Sequence, residues 1–334
     1  MLFDKFQTMA DFQAELEERQ VKPFGAVTTE ILSSTEGIVE GRRVILAGTN
    51  NYMGLSYHPR CIKAAQDAAE RWGTGTTGSR LANGSFAEHQ ALEDEIAAFY
   101  GVSNAIVFST GYAATMGMCA TLAGPGDVIL LDADSHASIY SGVKLSGAEV
   151  IRFKHSNPDD LAKRMRRLGD RASQALIIAE GIYSMLGDVA PLQEIAEIKR
   201  EYGGYLLVDE AHSMGVLGES GRGAAQAAGI ESDVDFIVGT FSKSLGSIGG
   251  FCVSPHRELE AIRFCITAYI FTASSSPSII ASTREALLII GEEPQRRSQL
   301  WDNANRLYQG LKSLGLAVGP TASPVVAVEM EDRS

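Results

Sequence analysis

FIVGTFSKSLGSIGGFCVS, residues 236–254, sets two apolar runs around a single charged residue, Lys243. FIVGTFS (236–242) and GGFCVS (249–254) read as strands, rich in β-branched and aromatic residues. Too few residues separate them for a crossover helix, so this pair is expected to be antiparallel. Working outward, AIVFST (105–110), VILLD (128–132), EVIRF (149–153), ALIIAEG (175–181) and YLLVDEA (205–211) are further short apolar runs. Several are continuous rather than alternating, the pattern of strands covered on both faces. Helical stretches fall between them. One runs to Leu122, and another, Pro191 to Tyr202, has proline in its first turn and Gly203-Gly204 behind it. The alternation predicts an α/β fold with a mostly parallel sheet between helices.

The flanks are less regular. Phe3, Phe6, Met9, Phe12 and Leu16 recur near a helical period in the first 20 residues. RRVILAG (42–48) reads as a strand entering the loop NNYMGLS, and CIKAAQDAAERW (61–72) as a helix. GTGTTGSRLANG (73–84) is a glycine-rich loop, and Ser85 with Glu88 forms a capping-box pattern ahead of Leu92, Ile96 and Phe99. Residues 296–314 read as a helix and VVAVEM (325–330) as a strand with no obvious partner. The expected division is 1–55 as an N-terminal helix and strand segment, 56–290 as a large α/β domain, and 291–334 as the start of an incomplete C-terminal small domain.

The chain has 334 residues, 45% of them hydrophobic, and a net charge of −12. Such acidity opposes nucleic-acid and anionic-membrane surfaces. Cys61, Cys119, Cys252 and Cys265 form no C-x-x-C pair and read as buried thiols in a reducing cytosol, so a cytoplasmic location is expected. The N-terminus lacks the layout of a signal peptide, and no apolar run approaches the ~18 residues of a membrane span. The six histidines, His58, His89, His136, His155, His212 and His256, show no zinc spacing, and no metal is expected.

Two nucleotide-like signatures fail on context. Gly73-x-Gly75-x-x-Gly78 follows a helix rather than a strand. Asp209-Glu210-Ala211-His212 resembles a helicase box, but no Gly-Lys dipeptide exists to supply a phosphate loop. Lys243 taken alone reads as an ordinary turn residue. Its company suggests more. Thr240, Ser242 and Ser244 offer hydroxyls, Asp209 ends another strand, and His212 follows three residues later. Ser109-Thr110-Gly111-Tyr112 places backbone N–H groups at a helix start, a ready anion site. This set suits pyridoxal phosphate, which needs a lysine for a Schiff base, an acid at the ring nitrogen and donors for its phosphate. His136, Ser184 and Asn51-Tyr52 follow other strands, where a ligand crevice would open.

Five segments in order then carry a resemblance: Ser-Thr-Gly-Tyr (109–112), Asp-Ala-Asp-Ser-His-Ala-Ser (132–138), Glu-Gly-Ile-Tyr-Ser-Met-Leu-Gly-Asp (180–188), Val-Asp-Glu-Ala-His-Ser-Met-Gly (208–215) and Gly-Thr-Phe-Ser-Lys-Ser (239–244). Together they resemble the α-oxoamine synthases, within the fold-type I pyridoxal-phosphate enzymes. The resemblance implies that Lys243 anchors the cofactor, Asp209 pairs with the pyridine nitrogen and His212 meets the ring 3-oxygen. It implies that His136 stacks on the ring and contacts substrate, with Ser184 beside the ring. Gly111, Tyr112, Thr240 and Ser242 would hold the phosphate, and Thr272, in YIFTASSS (269–276), would reach the phosphate of a neighbouring subunit in a homodimer with shared sites. Asn51 and Tyr52 are expected on the substrate side. Leu186, where relatives using glycine or alanine usually carry aspartate, with Tyr52-Met53-Gly54 and Tyr269–Ser274, marks a subfamily whose resemblance implies L-serine and a long-chain acyl-CoA as substrates, although no single residue fixes the acyl-chain length. A synthase using glycine or alanine, or a non-catalytic subunit, is the alternative. The family places an arginine for the substrate carboxylate in its C-terminal domain. This sequence has no match for it, hence the expectation of a truncated small domain.

Overall fold

The structure, a computed structural model, describes residues 1–21 and 26–330. It divides into two compact units, Met1–Thr49 and Asn50–Ser334. In the first, helix α1 (Gln7–Glu18) leaves Phe6, Met9 and Phe12 exposed. β1 (Thr28–Ile31), β2 (Glu36–Val39) and β3 (Arg42–Ile45) form an antiparallel sheet in that order. The strand read at 42–48 thus ends three residues early.

The second unit is built on a seven-stranded sheet. Its strands are β4 (Asn104–Phe108), β5 (Val128–Asp132), β6 (Glu149–Phe153), β7 (Leu176–Glu180), β8 (Tyr205–Asp209), β9 (Phe236–Thr240) and β10 (Gly250–Ser254), in the order β4-β10-β9-β8-β7-β5-β6. β10 runs antiparallel to both neighbours, as the short step from 240 to 250 requires, and the remaining pairs are parallel. The helices are α2 (Pro59–Trp72), α3 (Ala87–Tyr100), α4 (Gly111–Thr121), α5 (Ala137–Ser146), α6 (Pro158–Leu168) and α7 (Leu192–Tyr202), with later helices at 277–292 and 295–313.

Side-chain alternation along the strands explains their continuous apolar runs. Val107, Leu130, Ile177, Val208 and Ile237 enter one core with α3, α6 and α7. Ile106, Ile129, Ile178, Leu207 and Val238 enter the other with α4 and α5. The parallel strands all end at one edge, and the turns leaving that edge carry most of the polar residues of interest. Ile178 precedes Glu180, Leu207 precedes Asp209 and Val238 precedes Thr240 by two positions, so these three polar residues share the α4/α5 face.

Two expectations are corrected. Helix α3 is not capped by a Ser85–Glu88 box. Phe86 takes the N-cap position, the His89 imidazole accepts its N–H (3.3 Å), and the Ser85 hydroxyl donates to the Arg80 carbonyl (2.8 Å). The terminal strand does have a partner. β11 (Ala317–Val318) pairs antiparallel with β12 (Val328–Glu329), a shorter strand than VVAVEM suggested.

Candidate functional site

A cavity of about 150 Å³ opens at the edge where β7, β8 and β9 end. Gly111, Tyr112, Thr115, His136, Ser138, Glu180, Asp209, Ala211, His212, Gly239, Thr240, Ser242 and Lys243 line it. Eight residues singled out in the sequence therefore meet here: Gly111, Tyr112, His136, Asp209, His212, Thr240, Ser242 and Lys243.

One wall is a cradle of close backbone approaches. Thr110 caps α4, its hydroxyl oxygen accepting the Ala113 N–H (3.0 Å). A Cβ on Gly111 would lie 2.5 Å from the Thr240 side chain, and one on Gly250 would lie 2.6 Å from the Gly111 Cα. Only glycine lets α4 start directly against the end of β9. Thr240 Oγ1 is 2.7 Å from Ser242 Oγ and accepts the Ser242 N–H (3.2 Å). The Thr240 hydroxyl donates to the Gly249 carbonyl (3.0 Å), so the free helix-start N–H groups, with Ser242 beside them, make the donor set suited to a phosphate.

The opposite wall is electrostatic. Asp209 is buried, with Oδ1 accepting the Ala211 N–H (2.9 Å) and Oδ2 the Thr115 hydroxyl (3.0 Å). Burial raises its pKa, against the pull of the Lys243 charge and these donors. Burial also lowers the Lys243 amine, against the pull of Asp209 and Glu180. His212 is pushed down to about 3 by burial, with the Lys243 charge adding to it. Its Nδ1 pairs with the Tyr52 hydroxyl at 2.7 Å. His136 begins α5. Its backbone N–H donates to Glu180 Oε1 (2.5 Å), and its Nδ1 accepts the Ser138 N–H (3.2 Å). Burial lowers this imidazole too. Burial thus favours the neutral form of both histidines beside the lysine.

Tyr52 reaches the site through His212. Asn51 does not line the cavity, and its Oδ1 accepts the Ser56 N–H (3.3 Å). Ser184, on the turn after β7, and Thr272 lie outside the cavity wall. The sequence reading missed Thr115, Ser138, Ala211 and Glu180. Glu180 is paired in register with Asp209 across β7 and β8, and burial pushes its carboxyl up to about 8, with the Asp209 charge adding to it. An acid closing the apolar run LIIAE was the available signal. For Thr115 it was its place one helical turn beyond Gly111.

The aminotransferase class I and II profile matches residues 42–333. The chain belongs to that family. Aminotransferase class I and II relatives close to it include a serine palmitoyltransferase of Caulobacter vibrioides, 57% identical over 99% of this chain and 82% of that protein. A solved serine palmitoyltransferase of Sphingomonas wittichii superposes with a TM-score of 0.96 at 47% identity, covering all of this chain and 84% of the other. Another solved structure, of SPT with the PLP internal aldimine, gives 0.96 at 45% identity, again over all of this chain and 84% of the other. The family's cofactor fits the cavity on this chain's own terms. Glycine at 111 and 250 lets the start of α4, with its free N–H groups, come up against the end of β9 where a phosphate would sit, and the buried Asp209 carboxyl stands ready for a ring nitrogen. Among the described residues no cluster suited to a metal occurs, and no helix is long and apolar enough to cross a membrane.

Proposed function

We infer that this chain is a pyridoxal-phosphate-dependent acyltransferase of the serine palmitoyltransferase type. It condenses L-serine with palmitoyl-CoA, releasing CoA and carbon dioxide, to give 3-ketosphinganine for sphingolipid biosynthesis. The observation that carries this reading is the single cavity joining an amine, a carboxyl pair and two neutral imidazoles, in a chain 57% identical to a serine palmitoyltransferase. When bound, the cofactor supplies an electron sink conjugated to the serine α-carbon.

The chain's own groups do the rest. Lys243 is the covalent anchor and then the base that takes the serine α-proton. Its lowered pKa, set by burial, suits the neutral amine that both tasks require. Asp209, steadied by Thr115 and the Ala211 N–H, holds a proton on the ring nitrogen. His212, neutral and tied to Tyr52, serves the ring 3-oxygen. His136, its backbone fixed by Glu180, would stack on the cofactor ring and meet the substrate carboxylate or thioester oxygen. Gly111, Tyr112, Thr240 and Ser242 hold the phosphate, supported by their place in the cradle. Tyr52 and Asn51 are assigned to the substrate side and Ser184 to the ring, supported by their order in the sequence.

The same reading makes the protein a homodimer in which Thr272 serves the neighbouring subunit's phosphate, supported by its place outside its own cavity wall. It assigns a cytoplasmic location, supported by four free cysteines, three of them buried. The same reading takes residues 1–55 as an N-terminal segment, 56–290 as the cofactor-binding domain and 291–334 as small-domain sequence. A CoA-release assay comparing serine, glycine and alanine across short and long acyl-CoAs tests the function. Serine with palmitoyl-CoA is expected to be fastest. Preference for glycine overturns the substrate, and absence of a visible cofactor band overturns the enzyme.

A further inference from the structure

A second buried cluster lies at the same sheet edge and has no part in the chemistry above. Asp132 ends β5, is fully buried, and follows Leu130 by two positions, so it points to the face opposite Glu180 and Asp209. His155, in the turn after β6, stands between two carboxylates. Its Nδ1 is 2.8 Å from Asp132 Oδ1, and its Nε2 is 2.9 Å from Asp188 Oδ2. A neutral imidazole has one N–H and one lone pair, so it satisfies only one carboxylate and turns a lone pair on the other. The imidazolium satisfies both.

The two acids also hold the next residue. The Ser156 N–H donates to Asp132 Oδ2 (2.9 Å) and its hydroxyl to Asp188 Oδ2 (3.2 Å). Ser156 sits at φ +47°, the left-handed region that non-glycine residues rarely occupy. Tyr183 packs edge-on against the imidazole, centroids 4.5 Å apart.

Asp132 leads to the loop that reaches the cavity at His136, and Asp188 to the turn that carries Ser184. Asp132 Oδ1 accepts the Asp134 N–H (2.9 Å), at the start of the segment that ends in His136. The Asp188 carbonyl accepts the Tyr183 N–H (2.9 Å), closing the turn that carries Ser184. We propose that His155 is a positioning residue for the condensation: as an imidazolium bridging Asp132 and Asp188, it fixes the loop that presents His136 and the turn that presents Ser184. This rests on the function inferred above. The groups facing the imidazole are Asp132 and, at 4.0 Å, Asp134 from the β5–α5 segment, and Asp188 and Tyr183 from the turn after β7. Its own turn contributes Lys154, whose backbone N–H is held by Asp160 (3.0 Å). Burial opposes the charge, but the Asp132 hydrogen bond and the charges of Asp132, Asp188 and Asp134 outweigh it, so the pKa is raised.

The test is a pH titration of the ¹⁵N-histidine-labelled holoenzyme by NMR, beside the pH profile of kcat/KM for serine. Wild type is expected to show one imidazole with both nitrogens protonated above the ordinary histidine range, assigned by its loss in His155→Gln. Asp188→Asn, which keeps the shape of the side chain, should lower that titration by about one pH unit or more. The alkaline limb of kcat/KM should move down by the same amount. A singly protonated His155 at neutral pH overturns the proposal. So does a titration that moves in Asp188→Asn while the activity limb stays fixed. The NMR signal is independent of turnover, so a wild-type protein inactive toward serine breaks the functional reading without deciding the charge of His155.

Discussion

Two histidine–carboxyl clusters occupy opposite faces of one sheet at one edge, and they hold their histidines in opposite states. In the cavity, burial lowers both His136 and His212; the Lys243 charge adds to this, and at His136 the Asp209 charge opposes it. Behind the sheet, His155 faces Asp132, Asp134 and Asp188, and its pKa rises in spite of burial. Burial acts in the same direction on all three. At His155 the facing carboxylates overcome burial, whereas at His136 and His212 burial prevails. A neutral imidazole can meet a planar ring or a substrate oxygen, whereas a charged one can tie two loops together.

The comparison can be broken most sharply at Lys243. Lys243→Ala should lower kcat/KM for CoA release by about 10³-fold or more. It should also raise the His212 titration, because a neighbouring charge that lowers it is gone, and leave His155 where it is. An unmoved His212 by NMR would mean that burial alone neutralises it. Gly111→Val comes next. The added side chain meets Thr240, and overpacking of up to about 3 kcal/mol should weaken cofactor retention on dialysis without shifting the His155 titration.

His155→Asn probes the other face. The folded pKa of His155 lies above the ordinary 6.5, so its stabilisation is fully present below that value and is lost as pH rises through the raised one. Urea unfolding across pH should therefore show wild type about 2 kcal/mol more stable than the variant at the acid end, with the gap closing at alkaline pH. A gap independent of pH would remove the charge from the account. The smallest effect is expected from Thr115→Val. Losing one donor to Asp209 costs about 1 kcal/mol and should raise the Asp209 carboxyl further, read as a several-fold weaker cofactor Kd.

The parallel sheet was legible because its strands are buried on both faces and so read as unbroken apolar runs, and because the step from Thr240 to Gly250 leaves no room for a helix. Lys243, Asp209, His212 and His136 were legible because each follows one of those runs directly. Thr115 and Glu180 were not, since a threonine inside a helix and an acid closing a strand signal nothing until the sheet order places them beside Asp209. The cap of α3 misled for a similar reason. Ser85 fits the local rule, but Arg80 engages its hydroxyl (2.9 Å) from across the loop. The partner of β12 escaped notice because Ala317–Val318 is too short to show a period.

The place of β10 in the sheet has a consequence for how the molecule is made. Gly250 lies in register with Phe108 on one side and Thr240 on the other, and among the described residues β10 is the only neighbour of β4 in the sheet. During synthesis β4 leaves the ribosome early and β10 much later. Until β10 arrives, β4 is an unpaired hydrophobic edge, open to wrong partners. Before then the start of α4 lacks the Gly250 backbone that packs against Gly111. The phosphate cradle is thus among the last features of the domain to form, and the ability to retain cofactor reports that the sheet has closed.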